Sequence, residues 1–250
     1  MNILITGSSG FIGTHLTKHL KHHNVTGVDR KEGNEVLDIT EDDLKDIDIV
    51  VHLAAQTSVW NENIELIEND NIRSFVHIFL LCKKLNKRFI YASSSCSINI
   101  TSMYGLSKHF DDMFADIYGW DDCIGLRFHN AYGKDSREDT LLGMCMNNDS
   151  ISLWNNGLNY RHFTYIDDIC KGIEKSFSLP KGLYNIVNPE ENSVIEFVNE
   201  VKKHKNVSVT LLEEKRDLDK ERQTVDNSHI NLIENNYTNI EDGLNKVFNS

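Results

Sequence analysis

A strand, a glycine-rich turn and a helix follow one another within residues 1–20, and this order constrains the fold more than any other feature of the sequence. The apolar run Ile3–Ile5 predicts a buried strand that stops at Gly7. Apolar residues then recur at helical spacing, at Phe11, Ile12, Leu16 and Leu20. A turn between such elements presents free backbone N–H groups and the positive end of a helix dipole to an anion. We therefore expect a phosphate-binding turn within an α/β fold.

Three glycines and one aspartate give this stretch the features of a dinucleotide site. Gly7 permits a tight turn, Gly10 lets the backbone approach a pyrophosphate, and Gly13 lets the helix pack closely on the strand. Asp29 closes a second apolar run, where its carboxylate can hold a ribose 2′-hydroxyl. A carboxylate there repels a 2′-phosphate and favours NAD, whereas the neighbouring Arg30 could accept that phosphate and leaves NADP open.

The composition limits the class of partner. The 250 residues suffice for a sizeable core, and the net charge of −12 argues against nucleic acid or an anionic membrane surface as a partner. No apolar run approaches transmembrane length and no signal peptide precedes the first strand, so no membrane association is expected. The five cysteines form no Cys-x-x-Cys pair, which indicates reduced thiols and a cytoplasmic protein. The histidines include no His-x-x-x-His with a third ligand, so no metal is predicted.

Strand-like and helix-like segments alternate along the chain, which predicts a doubly wound parallel sheet with helices on both faces. Strands are predicted at 25–28, 35–39, 47–53, 88–92, 123–128, 151–154, 183–187 and 207–212. Helices are predicted at 62–86, 103–118, 138–148, 167–177, 194–203 and 240–248, and a charged loop at 213–222. In the helix at 62–86 the inward residues are predicted to be Ile67, Ile72, Phe75, Phe79 and Leu80. Ligands of such sheets lie beyond the carboxyl ends of the strands, so one crevice should collect Gly7, Asp29, Ala54, Ser94 and His129.

Tyr104 and Lys108 supply the sharpest chemical signal. Residues four apart on a helix share a face, so the lysine lies over the same turn as the tyrosine. A free tyrosine has a pKa of about 10 and is a poor base at neutral pH. A nearby ammonium and a positive nicotinamide ring would favour the phenolate. We therefore predict a lowered pKa for Tyr104 and a role as acid and base.

Seven ordered motifs together resemble the extended short-chain dehydrogenase/reductase family of NAD-dependent nucleotide-sugar epimerases, dehydratases and reductases. The resemblance runs nearly end to end and implies a Rossmann fold with a small C-terminal substrate lobe. It rests on Thr6–Gly13, His52-Leu53-Ala54-Ala55, Tyr91–Ser95, Tyr104-x-x-x-Lys108, Arg127-Phe-His-Asn-Ala-Tyr-Gly133, Arg161-His-Phe-Thr-Tyr-Ile-Asp-Asp168, and the terminal pair Asp226–His229 and Ile240–Leu244.

The resemblance implies a role for each matched position. Tyr104 would be the acid/base, Lys108 would bind the nicotinamide ribose, and Ser94 would hydrogen-bond the sugar hydroxyl. The further residues implied to bind cofactor are Gly7, Ser9, Gly10, Phe11, Ile12, Gly13, Asp29, Arg30, Asp38, Ile39, Leu53, Ala54, Ala55 and Asn71. Of these, Asp38 and Ile39 would flank the adenine. Those implied to bind a nucleotide-diphosphate sugar are Ser95 as the fallback for Ser94, Asn130, Arg161 and Arg216 at the diphosphate, and the backbone of Leu153 and Trp154 at the base. A solvated charge is the alternative for Arg216.

Departures from the family pattern narrow the activity. The 4,6-dehydratases of the family carry an Asp-Glu pair where this sequence has Ser95 and Cys96, so a dehydratase is disfavoured. Cys96 is expected to be a packed thiol, and His109 and His129 are expected to be structural. Permanently held NAD suits an epimerase, and C4 epimerisation through a 4-keto sugar is the leading prediction. A 4-ketoreductase using NADPH or NADH and a catalytically silent NAD-binding sensor are the alternatives.

The loosening of the alternation from about residue 130 suggests a division of the chain. The dinucleotide-binding core is predicted to comprise about 1–129 plus 162–187, and the substrate lobe about 130–161 plus 188–250. Analogy with the fold suggests a homodimer formed through the helices at 62–86 and 103–118.

Overall fold

The computed structural model describes residues 1–216, 222, 225 and 236–249. Its strands are β1 (Asn2–Thr6), β2 (Asn24–Val28), β3 (Ile49–His52), β4 (Arg88–Ser94), β5 (Cys123–Phe128), β6 (Ala131–Tyr132), β7 (Ser150–Leu153), β8 (Tyr160–Arg161), β9 (Thr164–Tyr165), β10 (Gly182–Ile186), β11 (Asn192–Ser193) and β12 (Ser208–Leu211). Its α-helices are α1 (Phe11–His19), α2 (Ile64–Ile67), α3 (Ser74–Lys84), α4 (Met103–Tyr118), α5 (Leu141–Asn147), α6 (Ile166–Lys175), α7 (Val194–Lys202) and α8 (Ile240–Asn249).

Six strands form one parallel sheet in the order β10-β5-β4-β3-β1-β2. After β1 the chain adds β2 on one side, then crosses to add β3 on the other. Strands β4, β5 and β10 continue outward from β3. A sheet of this kind opens a crevice at the carboxyl ends of the strands where the winding direction reverses, here between β1 and β3. The predicted doubly wound parallel sheet is confirmed.

The sheet separates two apolar layers, as the period-two alternation of a strand requires. Ile3 and Ile5 point to the layer that contains α1 and α6, whereas Leu4 points to the layer that contains α3. The second layer is aromatic: Phe75 and Phe79 of α3 pack with Phe89 of β4 at ring-centroid distances of 5.8 Å. Both faces of the central strands are thereby buried, which explains their apolar runs, such as Ile3–Ile5 and Ile49–Val51.

The segment predicted as a third strand is a helical turn. Val36–Asp38 forms a short 3₁₀-helix. Val36 and Ile39 are both buried beneath α3, and the His77 imidazole lies 2.9 Å from the carbonyl of Ile39. The two apolar residues are three apart, a spacing that places them on one side of a 3₁₀ turn but on opposite sides of a strand. The strand prediction is therefore wrong, and β2 is the edge of the sheet.

The long helix predicted at 62–86 is continuous but not uniform. A π-helical segment, Glu68–Arg73, lies between α2 and α3. Leu80, predicted to face inward, is 41% exposed. It directly follows Phe79, so about 100° of helical rotation separates it from the face that carries the buried phenylalanines.

Residues outside the sheet build a smaller lobe around α5, α7 and α8. Three two-stranded sheets accompany these helices: β7 pairs with β12, β8 with β11, and β6 with β9. The motif at Asp226–His229 lies outside the described residues, whereas the motif at Ile240–Leu244 lies in α8. No helix in the described part of the chain has the length and apolarity needed to cross a membrane.

Candidate active site

The crevice at the carboxyl ends of the sheet is a cavity of about 740 Å³. Of the five strand-end residues predicted to converge, Gly7, Asp29, Ala54 and Ser94 line this cavity. His129 does not: it is fully buried, and its Nε2 lies 3.0 Å from Oδ1 of Asn185. A second depression on the outer surface beside α8 contains none of the predicted site residues.

The glycine turn is shaped by close backbone packing. Gly7 has φ +72°, and a Cβ there would lie 2.7 Å from the backbone nitrogen of Ala54. A Cβ on Gly13 would lie 2.1 Å from the carbonyl oxygen of Gly7. Gly10 caps α1 without any side-chain hydrogen bond, so the N-cap residue does not satisfy the first N–H groups of the helix. Phe11 and Ile12 also line the cavity. This arrangement fits a dinucleotide pyrophosphate, as predicted.

The residues expected to bind the adenosine ribose, Asp29 and Arg30, bear on the choice between NAD and NADP. The Asp29 carboxylate accepts hydrogen bonds from the backbone nitrogens of Ser9 at 3.0 Å and Lys31 at 2.9 Å. The Arg30 guanidinium donates two hydrogen bonds to the buried Asp70, at 2.8 and 2.7 Å. The hydrogen bond to Asp70 raises the pKa of Arg30 further. Because this arginine is engaged by a carboxylate, a 2′-phosphate would have to compete for it, which favours NAD.

Four residues predicted to contact the cofactor do not line the cavity: Ser9, Asp38, Ile39 and Asn71. On the adenine side the cavity is lined instead by Val36 and Leu37, because the segment forms a 3₁₀ turn rather than a strand. Leu53, Ala54 and Ala55 line the cavity as expected. The contacts of the four residues with a cofactor stay predictions.

Asn71 acts behind the cavity wall. Its Oδ1 accepts a hydrogen bond from the backbone nitrogen of Gln56 at 2.7 Å, and its Nδ2 donates to the Gln56 carbonyl at 2.9 Å. Nδ2 also lies 2.8 Å from Oγ of Ser107 on α4. The π-helical segment thereby joins the loop after β3 to the helix that carries Tyr104.

Tyr104 and Lys108 face the cavity from α4, whose N-cap is Ser102. The phenol of Tyr104 forms a side-chain hydrogen bond with Ser94. Burial raises the pKa of Tyr104, while the charge of Lys108 and the hydrogen bond with Ser94 act to lower it. The lysine and serine therefore act in the predicted direction, whereas burial outweighs them in the protein without cofactor. The predicted lowering includes the charge of a nicotinamide ring and stays a prediction.

A buried carboxylate beside Lys108 was not anticipated from the sequence. Asp111 Oδ2 lies 3.0 Å from Lys108 Nζ, and both side chains are almost fully buried. Burial raises the pKa of Asp111 to about 7, although Lys108 acts to lower it. Burial alone would lower the pKa of Lys108, but Asp111, Tyr104 and Asp112 reverse this and raise it. The spacing of three residues on one helix face is the signal that could have revealed the pair.

The residues predicted for the sugar nucleotide line the same cavity: Ser95, Asn130, Leu153, Trp154, Arg161 and Arg216. Arg216 is held between two aromatic rings, with its guanidinium carbon 4.5 Å from the ring centre of Trp154 and 4.9 Å from that of Trp60. Arg216 is exposed, so its predicted contact with the diphosphate and the alternative of a solvated charge both stay predictions. Trp60 lies in the loop before α2 and was not among the predicted residues.

Arg137 and Cys96 complete the wall near Tyr104. The charge of Arg137 acts to lower the pKa of Tyr104, although burial of the phenol prevails. Its guanidinium also hydrogen-bonds Thr57 and pairs with Asp139 at 2.8 Å. The half-buried Cys96, predicted to be a packed thiol, faces the cavity instead. Arg137 follows the motif ending at Gly133 by only four residues, but its contact with Thr57 spans 80 positions and is not visible in a local pattern.

Comparison with known proteins gives a consistent result. A family model described as the NAD dependent epimerase/dehydratase family matches residues 3–186. Protein CapI of Staphylococcus aureus is 32% identical over 234 aligned residues, covering 72% of this chain and 70% of CapI. UDP-glucuronate 4-epimerase 4 of Arabidopsis thaliana is 29% identical over 231 residues, covering 69% of this chain and 53% of that protein.

Solved structures share the fold along the whole chain. UDP-glucuronic acid 4-epimerase from Bacillus cereus, in complex with UDP-glucuronic acid and NAD, superposes with a TM-score of 0.84 at 22% identity. The match covers 100% of this chain and 98% of that one. At this identity the likeness establishes the fold, and it confirms the predicted extended short-chain dehydrogenase/reductase architecture.

Proposed function

The chain belongs to the NAD dependent epimerase/dehydratase family, and we propose that it is a nucleotide-diphosphate-sugar 4-epimerase. The observation that carries the proposal is the position of the Tyr104 phenol. It faces the same cavity as the glycine turn and Asp29, and a hydrogen bond with Ser94 and the charge of Lys108 both act to lower its pKa. An acid/base beside a dinucleotide site is the arrangement that alcohol–ketone interconversion requires.

The residues of this chain would act on the proton and on orientation. The glycine turn and Asp29 would hold NAD, whose chemistry would be reversible hydride transfer at the sugar carbon, with return to the opposite face of the 4-keto sugar giving the epimer. Tyr104 would take the proton of the 4-hydroxyl and give it back, while Ser94 would hold that hydroxyl in place. Lys108 would stabilise the phenolate by its charge. Asn130, Arg161 and Arg216 would bind the diphosphate, because arginine and amide donors suit phosphate oxygens. Holding the reactants in a closed cavity would supply much of the rate.

The pairing of Arg30 with Asp70 supports an epimerase over an NADPH-dependent reductase, because this arginine is not free to recruit a 2′-phosphate. The test is to denature purified protein, identify the released dinucleotide, and incubate native protein with UDP-glucose, UDP-N-acetylglucosamine and UDP-glucuronate. Stoichiometric NAD with redox-neutral isomerisation supports the proposal. Turnover that needs added NADPH and a 4-keto sugar would replace it by the reductase. Bound NAD without turnover of any sugar would support the alternative of a catalytically silent NAD-binding sensor.

Removing one phenol tests the mechanism. Tyr104→Phe is expected to lower kcat by at least about 10²-fold while leaving NAD binding unchanged, because general acid–base catalysis contributes roughly 10²–10⁴-fold. Tyr118→Phe is the matched control, since Tyr118 lies on the same helix and is 43% exposed. Full turnover of Tyr104→Phe would contradict the proposed mechanism.

Arg137 supports a uronic acid as the sugar. Its positive charge acts on Tyr104 from the cavity wall. A sugar carboxylate would compete there with Asp139, which accepts hydrogen bonds from Nε and Nη2 of Arg137 at 2.9 and 2.8 Å. We expect Arg137→Gln to raise KM for UDP-glucuronate by about tenfold or more, the loss of one charge-assisted hydrogen bond. The KM for UDP-glucose should change little. An equal effect on both substrates would point to a general role of Arg137 in closing the cavity.

Two further assignments belong to the proposal. All five cysteines are unpaired and four are buried, which supports a reducing compartment such as the cytoplasm. A homodimer is supported by exposed apolar residues on the helices flanking the cavity: Ile64, Leu80, Leu106, Met113 and Ile117.

A further inference from the structure

Three histidines near the end of α1 surround one glutamate of α6. His19 Nε2 lies 2.8 Å from Oε2 of Glu174. His22 Nε2 lies 2.8 Å, and His23 Nε2 3.8 Å, from the other carboxylate oxygen. The donor atoms of His22, His23 and Glu174 all lie within 4.8 Å of one another. None of these four residues lines the catalytic cavity.

We propose that this cluster is a binding site for a divalent transition-metal ion of the zinc type. His22, His23 and Glu174 are the ligands, and His19 holds the second oxygen of the Glu174 carboxylate. Imidazole nitrogens and a carboxylate are the nitrogen and oxygen donors that Zn²⁺ accepts. Bonds of about 2.1 Å in a tetrahedral site place donors about 3.4 Å apart, so small side-chain movements bring these atoms into position. The contact with His19 is the outer-shell hydrogen bond that orients a ligating carboxylate.

The exposure of the ligands suits a site open to solvent on one side. The side chain of His23 is 16% exposed, that of Glu174 33% and that of His22 53%. The ring centres of His22 and His23 lie 4.2 Å apart with planes inclined by 45°, so the rings are neighbours rather than pointing apart. A water molecule can supply the fourth position of a three-ligand site.

The site would join two helices that pack against the same face of the sheet. His19 is the last residue of α1, and His22 and His23 follow it in the chain. Glu174 belongs to α6, 152 positions after His22. The nine-residue α1 spans about 13 Å, so the ion would bind at the end of this helix opposite the glycine turn. We therefore expect the ion to stabilise the fold and to leave turnover unchanged. The pair His19-x-x-x-His23 is present in the sequence, but its acidic partner is too distant for any local motif to include.

The test is a Zn²⁺ titration of untagged, chelator-treated protein, followed by isothermal calorimetry and by thermal unfolding. We expect one saturable site per chain and a rise in Tm of about 5 °C or more at a Zn²⁺ concentration of 100 times Kd. His22→Gln and Glu174→Gln should each weaken binding by at least about tenfold and, at the same Zn²⁺ concentration, reduce the rise in Tm to about half or less. His204→Gln, a change at an exposed histidine elsewhere, should bind as the original chain does.

Two outcomes would overturn the inference. One is the absence of saturable Zn²⁺ binding by the original chain. The other is binding that persists unchanged in both His22→Gln and Glu174→Gln, which would place the ion elsewhere, for example on cysteines. Co²⁺ substitution separates these cases, because a thiolate ligand adds a charge-transfer band that nitrogen and oxygen ligands do not. The readouts do not depend on catalysis, so failure of the epimerase proposal would not affect them.

Discussion

At the scale of single residues, the buried contact between Lys108 Nζ and Asp111 Oδ2 controls how much positive charge reaches Tyr104. A lysine this deeply buried tends to lose its proton because burial disfavours the ammonium. Among the charged neighbours that oppose this effect, Asp111 contributes most to raising the pKa of Lys108. The pKa of Asp111 itself is about 7, so its negative charge is present above that pH, where Lys108 most needs it. We infer that Asp111 acts on catalysis through Lys108, as a positioning residue.

The prediction concerns Asp111→Asn. Losing the carboxylate lowers the pKa of Lys108, so the alkaline limb of the profile of kcat/KM against pH should move to lower pH, by about one unit or more. Asp111→Glu, which restores the charge, should recover most of this shift. Steady-state kinetics between about pH 7 and pH 11 measure it, because the pKa of Lys108 in the original chain is raised above its ordinary value of 10.5. An alkaline limb that stays in place in Asp111→Asn would show that Asp111 has a packing role only.

Residue-scale features were predictable where the signal is local. The glycine turn, Asp29, and the pair Tyr104 and Lys108 each lie within a short window of sequence, and the cavity collects all of them. Arg137 and the Trp60 ring were not predictable, because the groups that position them lie far away in the chain. The direction of the Tyr104 pKa also depends on its depth of burial, which no spacing pattern specifies.

At the scale of elements, apolar runs located the central strands of the sheet with almost no error, because both faces of those strands are buried among apolar residues. The helix predicted at 103–118 is also confirmed, although its buried face is polar: Gly105, Ser107, Lys108, Asp111 and Asp112. The failures share a cause. Two apolar residues, Val36 and Ile39, are not enough to distinguish the pattern of a strand from that of a 3₁₀ turn. In the predicted helix at 62–86, one extra residue per turn in the π-helical segment leaves the apolar pattern nearly unchanged. In both places the outcome was decided by what the segment packs against.

The π-helical segment gives a prediction at this scale. Its Asn71 is fully buried, and three hydrogen bonds join it to Gln56 and Ser107. Asn71→Ala would leave buried donors and acceptors unpaired, so we expect the free energy of unfolding to fall by about 2–4 kcal/mol. Urea denaturation measures this change. Glu68→Ala, at an exposed position of the same segment, is the control and should stay within about 0.5 kcal/mol. A similarly small effect of Asn71→Ala would mean that water replaces the lost hydrogen bonds.

At the scale of the whole molecule, the two layers of helices differ in how completely they are covered. The layer with α1 and α6 forms a core continuous with the smaller lobe, whereas the layer with α3 and α4 presents apolar side chains on its outer surface. Phe114 of α4 packs on Phe79 of α3 at 5.2 Å, so the two helices lie side by side. Leu106, Met113 and Ile117 are spaced by seven and four residues, and therefore form one stripe along the outer face of α4.

This stripe predicts how the molecule associates. A second copy placed against it would cover Ile117, which is 78% exposed, and Met113, which is 49% exposed. We expect light scattering on eluted protein at micromolar concentration to give twice the mass of one chain. Ile117→Glu should give the mass of a single chain, because two charges would have to be buried in the self-complementary interface. Leu158→Glu adds the same charge at a residue of the smaller lobe that is 48% exposed, and should leave the dimer intact. The helix α4 carries Tyr104 on its opposite side. If the monomeric Ile117→Glu variant also lost turnover, the interface would hold the catalytic helix in place. A dimer that persists in Ile117→Glu would exclude this face as the interface.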